Sequence, residues 1–310
     1  LGVDMTERVE AVSASRRFAQ IALVTLLTLS ACVGCTETSA TPPTSSPATA
    51  SASASSLPVS PQEVCSLSDP RLTEVSGIAA SIKHPDVFWV HNDSGDSARI
   101  FAISGKDCKV LAEVQLRGVR AHDIEAIALG RRADGTAVIY VGDLGGNTKK
   151  RDTVELYELL EPEVITDAQV PVTTRNVTFD GGAVDAESLL VDPKPGGQVW
   201  IVTKRLSHKA AIMALPADLE SRANVVATRV GPALWFATDA SYAPDGSHYV
   251  IRSYFNAAVY DPPVPADGER SFDIPTQKQG EGIAYSSDSK WLYLTSEGKN
   301  QALLRMPAPR

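Results

Sequence analysis

Histidine, cysteine and aromatic residues are all scarce in this 310-residue sequence: five His, four Cys and 6% Phe, Trp and Tyr. The histidines (His84, His91, His122, His208 and His248) are scattered, which excludes a His-Glu-x-x-His zinc site. Four cysteines are too few for a disulfide-dense scaffold. Lys and Arg number 29 against 37 Asp and Glu, a formal charge of −8 with no long basic run. Nucleic acid is thereby excluded as the main partner, because neutralising phosphates requires a basic face. No Gly-x-Ser-x-Gly elbow, phosphate-binding loop or dinucleotide fingerprint is present. The 43% hydrophobic and 21% charged content is that of a globular chain, so wholesale disorder is excluded as well.

Long apolar runs are also missing. The one candidate, Phe18 to Leu29 behind Arg16-Arg17, has the charged n-region and short h-region of an export signal rather than the length of a membrane span. It ends in Leu29-Ser30-Ala31-Cys32, which resembles a bacterial lipobox. That resemblance implies cleavage after residue 31, a diacylglycerol on the Cys32 thiol, and an extracytoplasmic domain anchored to the membrane of a bacterial cell envelope. The arginine pair resembles a twin-arginine signal, but Phe18 follows it directly, which favours Sec export. Cys32 and Cys35 have CxxC spacing at a cleavage site, where no folded helix end lowers a thiol pKa.

From Thr36 to Pro61 the chain is nearly all Ser, Thr, Ala and Pro. Such a segment holds too little apolar surface to offset its ordering entropy, so residues 32–62 read as a flexible tether and 63–310 as the folded domain. Cys65 and Cys108 fall inside that exported domain and are expected to pair as a disulfide.

Within 63–310 one unit is written five times. A short apolar strand opens it, in Glu74-Val-Ser-Gly-Ile-Ala, Glu125-Ala-Ile-Ala-Leu, Glu187-Ser-Leu-Leu-Val and Glu281-Gly-Ile-Ala-Tyr; the fourth copy has Thr238 in place of the acid. A second strand carries an aromatic (Trp89, Tyr140, Trp200, Tyr249, Tyr293), and a third strand follows. Asp-Gly and Asp-Ser turns separate the strands, and no stretch sustains helical periodicity. The starts stand roughly 40 to 60 residues apart, the length of a propeller blade. The predicted fold is an all-β propeller, five-bladed, or six-bladed if the long 125–187 interval holds another blade. The last copy stops after its third strand, so Val64–Leu67 is expected to complete it and close the ring.

In such a ring the start of strand one lies beside the end of strand two. This gathers Glu74, Glu125, Glu187 and Glu281 at one channel mouth with Asp123 and Asp185. Residues just after the strand-two aromatics join them: Asn92, Asp93, Asp143, Lys204, Arg252 and Glu297. The loops His91–Asp96 and Gly142–Asn147 are carboxylate-and-glycine turns, compatible with oxygen ligation of calcium, although Asp, Asn and Gly also make ordinary turns. Asp93, Asp123, Asp143, Glu125, Glu187 and Glu281 are the candidate metal ligands. The glutamates have a structural alternative, hydrogen bonding the neighbouring blade.

Asp123-Ile-Glu-Ala-Ile-Ala and Gln279-Gly-Glu-Gly-Ile-Ala-Tyr, with Leu292-Tyr-Leu-Thr-Ser-Glu297, resemble blades of the phytase-like and esterase-like β-propeller group. The whole pattern is similar to actinobacterial secreted lipoproteins carrying a propeller domain. In the phytases, channel carboxylates hold calcium ions that bind substrate phosphate, a role the resemblance carries to Glu125, Glu187 and Glu281. This sequence departs from that pattern at Thr238 and lacks a cluster of Lys, Arg and Tyr matching a full phytate site. Two functions follow as expectations. One is an anchored propeller binding a small ligand or protein partner at its charged mouth. The other is calcium-assisted hydrolysis of phosphate esters, with Lys204 and Arg252 clamping the anion.

Overall fold

The computed structural model describes residues 60–146, 151–205 and 210–309. The export signal, Cys32, Asn147, His208 and almost all of the tether lie outside the described residues. A lone strand, β1 (Gln62–Leu67), precedes the first four-stranded meander, β2 (Val75–Ala80), β3 (Val87–Asn92), β4 (Arg99–Ser104) and β5 (Val110–Arg117). The second comprises β6 (Ile124–Arg131), β7 (Ala137–Asp143), β8 (Val154–Leu160) and, after the short β9 (Ala168–Pro171), β10 (Thr173–Phe179). The third is β11 (Ala186–Val191), β12 (Val199–Thr203), β13 (Ala211–Ala214) and β14 (Asn224–Pro232). The fourth is β15 (Ala237–Tyr242), β16 (Tyr249–Ser253), β17 (Asn256–Tyr260) and β18 (Arg270–Asp273). The last runs β19 (Gly280–Tyr285), β20 (Trp291–Ser296) and β21 (Gln301–Pro307). A 3-10 turn at Leu219–Ser221 is the one helical element among the described residues.

Local chemistry explains the hairpins. Each turn between the first and second strands of a meander contains one residue with positive φ: Asp86, Gly135, Gly196, Gly246 and Ser289. This left-handed conformation reverses the chain tightly and suits Gly, Asp or Ser far better than the β-branched residues of the strands. Second strands such as Val138-Ile-Tyr-Val141 are buried on both faces, which is why they lack polar alternation.

The first strands β2, β6, β11, β15 and β19 pack one against the next, and β19 packs against β2. All five contribute to one cavity, lined among others by Ile82, Arg131, Pro193, Tyr242 and Ser287. They therefore surround a common axis, the arrangement of a β-propeller. A separate apolar cluster fills each junction between successive meanders, including that between last and first, where Phe88 and Tyr293 ring centroids lie 4.5 Å apart.

The 125–187 interval is long because of its connection, residues 161–172. There β9 leaves its own meander and adds in parallel to β5, at Val114–Arg117 of the first. β10 in turn pairs in parallel with β14 of the third meander. Both additions cover strand edges that would otherwise stand open.

β1 pairs antiparallel with β21, so the chain's first strand completes its last sheet. Cys65 of β1 is disulfide-bonded to Cys108, just beyond β4, with Cα atoms 5.7 Å apart. The bond therefore staples the last sheet to the first meander across the point of closure. Its sequence separation of 43 residues corresponds to roughly 4 kcal/mol of chain entropy removed from the unfolded state. Reduction, or Cys65→Ser with Cys108→Ser, is expected to lower the melting temperature by about 10 °C. Scanning calorimetry with and without reductant checks this; an unchanged midpoint would mean that closure does not depend on the staple.

Candidate functional site

Every first strand is irregular at the same place. Pairing with the second strand shifts register between Val75 and Gly77, Ile124 and Ala126, Ala186 and Ser188, Ala237 and Asp239, and Gly280 and Ile283. A bulge turns the extra side chain out of the normal alternation. The bulged positions are Ser76, Glu125, Glu187, Thr238 and Glu281, all buried. The structural register thus differs from the sequence comparison in the first copy. Ser76, and not Glu74, stands where the other copies have Glu125, Glu187 and Glu281; Glu74 lies two residues earlier and is exposed.

A second ring follows the ends of the second strands: Asp93, Leu144, Lys204, Tyr254 and Glu297. Backbone bonds fix three of them, since the amides of Asp93, Lys204 and Glu297 donate to the carbonyls of Glu74, Asp185 and Gln279 at 2.8, 2.9 and 2.9 Å. The two rings together put carboxylates from four meanders at one end of the axis.

Asp93, Asp123 and Glu125 each offer an oxygen, and these atoms lie within 4.8 Å of one another. Lys204 sits beside them, its Nζ 2.9 Å from Glu187 Oε1, donating to Tyr254 Oη at 2.8 Å, and 5.0 Å from the Tyr254 ring centroid. Glu281 lies beside both Tyr254 and Lys204, and Gln279 Nε2 donates to Glu297 Oε2 at 2.6 Å. Three carboxylate oxygens of the ring, Glu125 Oε1, Glu187 Oε1 and Glu281 Oε2, are buried without a hydrogen-bond partner among the described residues, as is Ser76 Oγ; Lys204 pairs with Glu187 Oε1, which leaves Glu125 Oε1 and Glu281 Oε2, on residues 3% exposed.

Electrostatics follow from this crowding. Burial, then the neighbouring carboxylates, raise Glu125 well above the ordinary range. Burial raises Glu187 and Glu281 too, with Lys204 opposing the shift in both. Burial and the charges of Glu281 and Asp93 push Glu297 up to about 8. Asp123 is pushed up to about 6, by burial first and then by Asp93. Burial works against the charge on Lys204, but Glu187 and Glu281 outweigh it and raise its pKa.

Other candidate residues occupy different roles. Asp143 is fully buried and accepts from the amides of His122 and Asp123 at 2.8 and 3.0 Å, from Tyr157 Oη at 3.3 Å and from Arg151 Nη2 at 2.7 Å. It clamps the lead-in to β6, as Asn92 Oδ1 clamps the amides of Thr73 and Glu74. His122, Asp143 and Glu155 also lie close enough to hold an ion, but Arg151 bridges Asp143 and Glu155 there. The Arg252 guanidinium donates to the carbonyls of Gly282 and Thr295 at 2.8 and 3.4 Å and to Gln277 Oε1 at 3.2 Å. It packs so close to Gly280 that a Cβ there would come within 2.2 Å of Nη2. Its burial lowers the pKa to about 10, which still leaves it charged at neutral pH.

Two residues escaped the sequence reading. Tyr254 was hidden because a tyrosine beyond a strand end looks like surface. Asp239 carried a signal that only the true register exposes: the equivalent positions are Gly77, Ala126, Ser188 and Gly282, all small. Their size leaves room on the axis for its carboxylate, which accepts from the amides of Ile283 and Ala240, both at 2.8 Å, with the Ile78 amide nearby. Asp239 thus ties β15 to β19 beside β2, between the acidic end of the axis and the cavity at the other.

The raised carboxylates set a pH dependence. Each binds protons more tightly when folded, so its contribution to stability is full below the usual carboxylate range. That contribution is lost as pH rises toward the folded pKa. Between pH 5 and 8 the cation-free protein is therefore expected to lose more stability than Glu297→Gln does. Protons also compete with any bound cation, so cation affinity is expected to rise from pH 6 to 8. Melting curves and titration calorimetry across that window check both; a flat difference between wild type and Glu297→Gln would contradict the reading.

No protein-family model matches this chain, and no curated protein matches it. Among solved structures, a chain in the crystal structure of a mitotic checkpoint complex is similar at 14% identity and a TM-score of 0.39. The match covers 75% of this chain and 62% of that one, so it spans less than two thirds of the neighbour's length.

Proposed function

We propose that this chain is a lipid-anchored, extracytoplasmic five-bladed propeller that binds a positively charged ligand at the acidic end of its axis. The reading takes each meander as one blade, with β9 as an added edge strand. The anchor rests on the Leu29–Cys32 sequence alone. The observation that carries the ligand is the pair of buried, unpartnered oxygens, Glu125 Oε1 and Glu281 Oε2. An unsatisfied buried polar atom costs about 1–3 kcal/mol, and more when charged. Protein folds rarely retain such atoms among further carboxylates unless something else neutralises them. Glu125 and its neighbours form an all-oxygen donor set, which suits a hard cation such as calcium.

A second reading, calcium-assisted hydrolysis of phosphate esters, is favoured by the convergence of Asp93, Asp123 and Glu125. In that reading an ion held there would polarise a phosphoryl oxygen, and Lys204 would hold the anion while Arg252 maintains the strand behind it.

Calcium is expected to raise the melting temperature of wild type and to leave Glu125→Gln unmoved. A phosphatase and esterase panel in the same buffer separates the readings: turnover lost in Glu125→Gln would replace binding with catalysis. If neither calcium nor the amine probes described below shift wild type, the cation site is refuted. For the anchor, Cys32→Ser is expected to abolish incorporation of radiolabelled palmitate and to move the protein from the membrane to the soluble fraction. Unchanged labelling would refute the lipid on Cys32.

A further inference from the structure

The fourth meander breaks the polar pattern of the acidic end. Two residues before each bulge stand Glu74, Asp123, Asp185 and Gln279, but in the fourth meander this residue is Phe236. It holds a left-handed backbone, with φ +57°. That conformation is uncommon for any residue with a side chain and is retained where surrounding structure enforces it. Phe236 is flanked by aromatic rings. Its centroid lies 6.1 Å from that of Trp235 and 6.0 Å, edge-on, from that of Phe255; Phe255 lies 6.4 Å from Tyr254. Trp235 is 50% exposed and Phe255 73%, so the outer rings face solvent. The four rings form a series of edge-on and tilted contacts, an aromatic ladder that starts at Tyr254, among the carboxylates, and ends at the exposed Trp235.

A bare metal ion gains nothing from such a rim. An alkylammonium does: its methylenes bury against the rings, and its charge is drawn to their faces and then to the carboxylates. The protein already contains one example of that pairing. Lys204 extends an aliphatic stem whose ammonium sits between the Tyr254 ring and Glu187. Beyond it, Glu125 Oε1 and Glu281 Oε2 remain buried and unpartnered. Two such acceptors, on the second and last meanders of an end that also carries one aromatic series beside Glu281, suit a ligand with more than one ammonium.

We infer that the acidic end of the axis, with its Trp235–Phe236–Phe255–Tyr254 wall, is a binding site for a linear aliphatic polyamine. The inference rests on the cation-binding reading above and specifies its occupant. The amines enter beside Glu125 and Glu281, and the hydrocarbon lies along the exposed rings. Lysine side chains of a basic peptide carry the same primary ammonium, and the test separates the two sources.

The experiment is titration calorimetry of the wild-type domain with spermidine, with trilysine amide and with calcium chloride, at 0.15 M salt. Spermidine is expected to bind more tightly than trilysine. The double variant Trp235→Ala with Phe255→Ala, both at exposed positions, is expected to weaken spermidine about tenfold and to leave calcium unchanged. Glu125→Gln is expected to weaken both, and unchanged melting of the double variant in ligand-free buffer confirms that it folds. Spermidine binding that ignores the aromatic variant overturns the inference, because it reports only attraction to a negative surface. Trilysine binding more tightly than spermidine overturns it in favour of a peptide. Calcium binding without spermidine binding overturns the polyamine and leaves the cation site standing; failure of all three probes removes both.

Discussion

Closure of the ring by β1 on β21 is the contact on which the acidic end depends. The carboxylates there come from four meanders that lie far apart in sequence. They meet only because five first strands are held around one axis. Each junction between meanders has its own apolar core, so the ring is a set of similar contacts in series, as in other repeat structures. In a series the weakest contact is the seam, where the two termini of the domain meet. This protein reinforces that seam twice, by a β1–β21 ladder and by the Cys65–Cys108 bond. Without the seam the first and last meanders separate, and Asp93 leaves Glu281 and Glu297.

Not all buried charge near the axis has the same meaning, and partner counting separates the kinds. Asp239 accepts two backbone amides, Asp143 two amides, an arginine and a tyrosine, and Arg252 is distributed over carbonyls and Gln277. These groups resemble a satisfied polar network, which rigidifies what it connects. Glu125 and Glu281 differ, because each keeps one oxygen with no partner among the described residues. The bulge explains how this is tolerated during folding. A side chain thrown out of the strand's alternation lies at the axis and not in the apolar junctions, so its desolvation does not disturb the packing between meanders.

The fold was legible in the sequence because its determinants are local. An apolar strand, a turn residue suited to positive φ and an aromatic second strand recur in order, and each copy is made of residues close together in the chain. The closing strand was legible as well, since a last copy with three strands leaves an edge to fill. The site was legible only in type. Glu125, Glu187, Glu281 and Lys204 were expected together and are together, but Glu74 was aligned with them through its chemistry. A bulge moves register by one residue and leaves no mark in composition, so Glu74 and Ser76 could be distinguished only by hydrogen bonding. Asp143 and Arg252 had the right position along the repeat, and what sequence could not supply was the direction in which their side chains bond.

With the register corrected, the departures of the fourth meander coincide. Thr238 replaces the bulged glutamate and donates to the carbonyl of Glu281 at 3.0 Å. Asp239 replaces a small residue and reaches across the axis. Phe236 replaces a polar residue at the rim, and Tyr254 takes the place held elsewhere by Asp93, Leu144, Lys204 or Glu297. A blade that had merely lost its acid would show one change at one position. Here four axial positions change together, and they divide into two effects. Thr238 and Asp239 spend their polar atoms on neighbouring strands and hold the axis in place. Phe236 and Tyr254 give the otherwise acidic end an apolar wall. The fourth meander, which together with Ser76 of the first interrupts the ring of glutamates, therefore gives the acidic end two chemically distinct sides. Such a site can orient a ligand that has both a charged end and a hydrocarbon body, whereas a uniform acidic ring can only attract one.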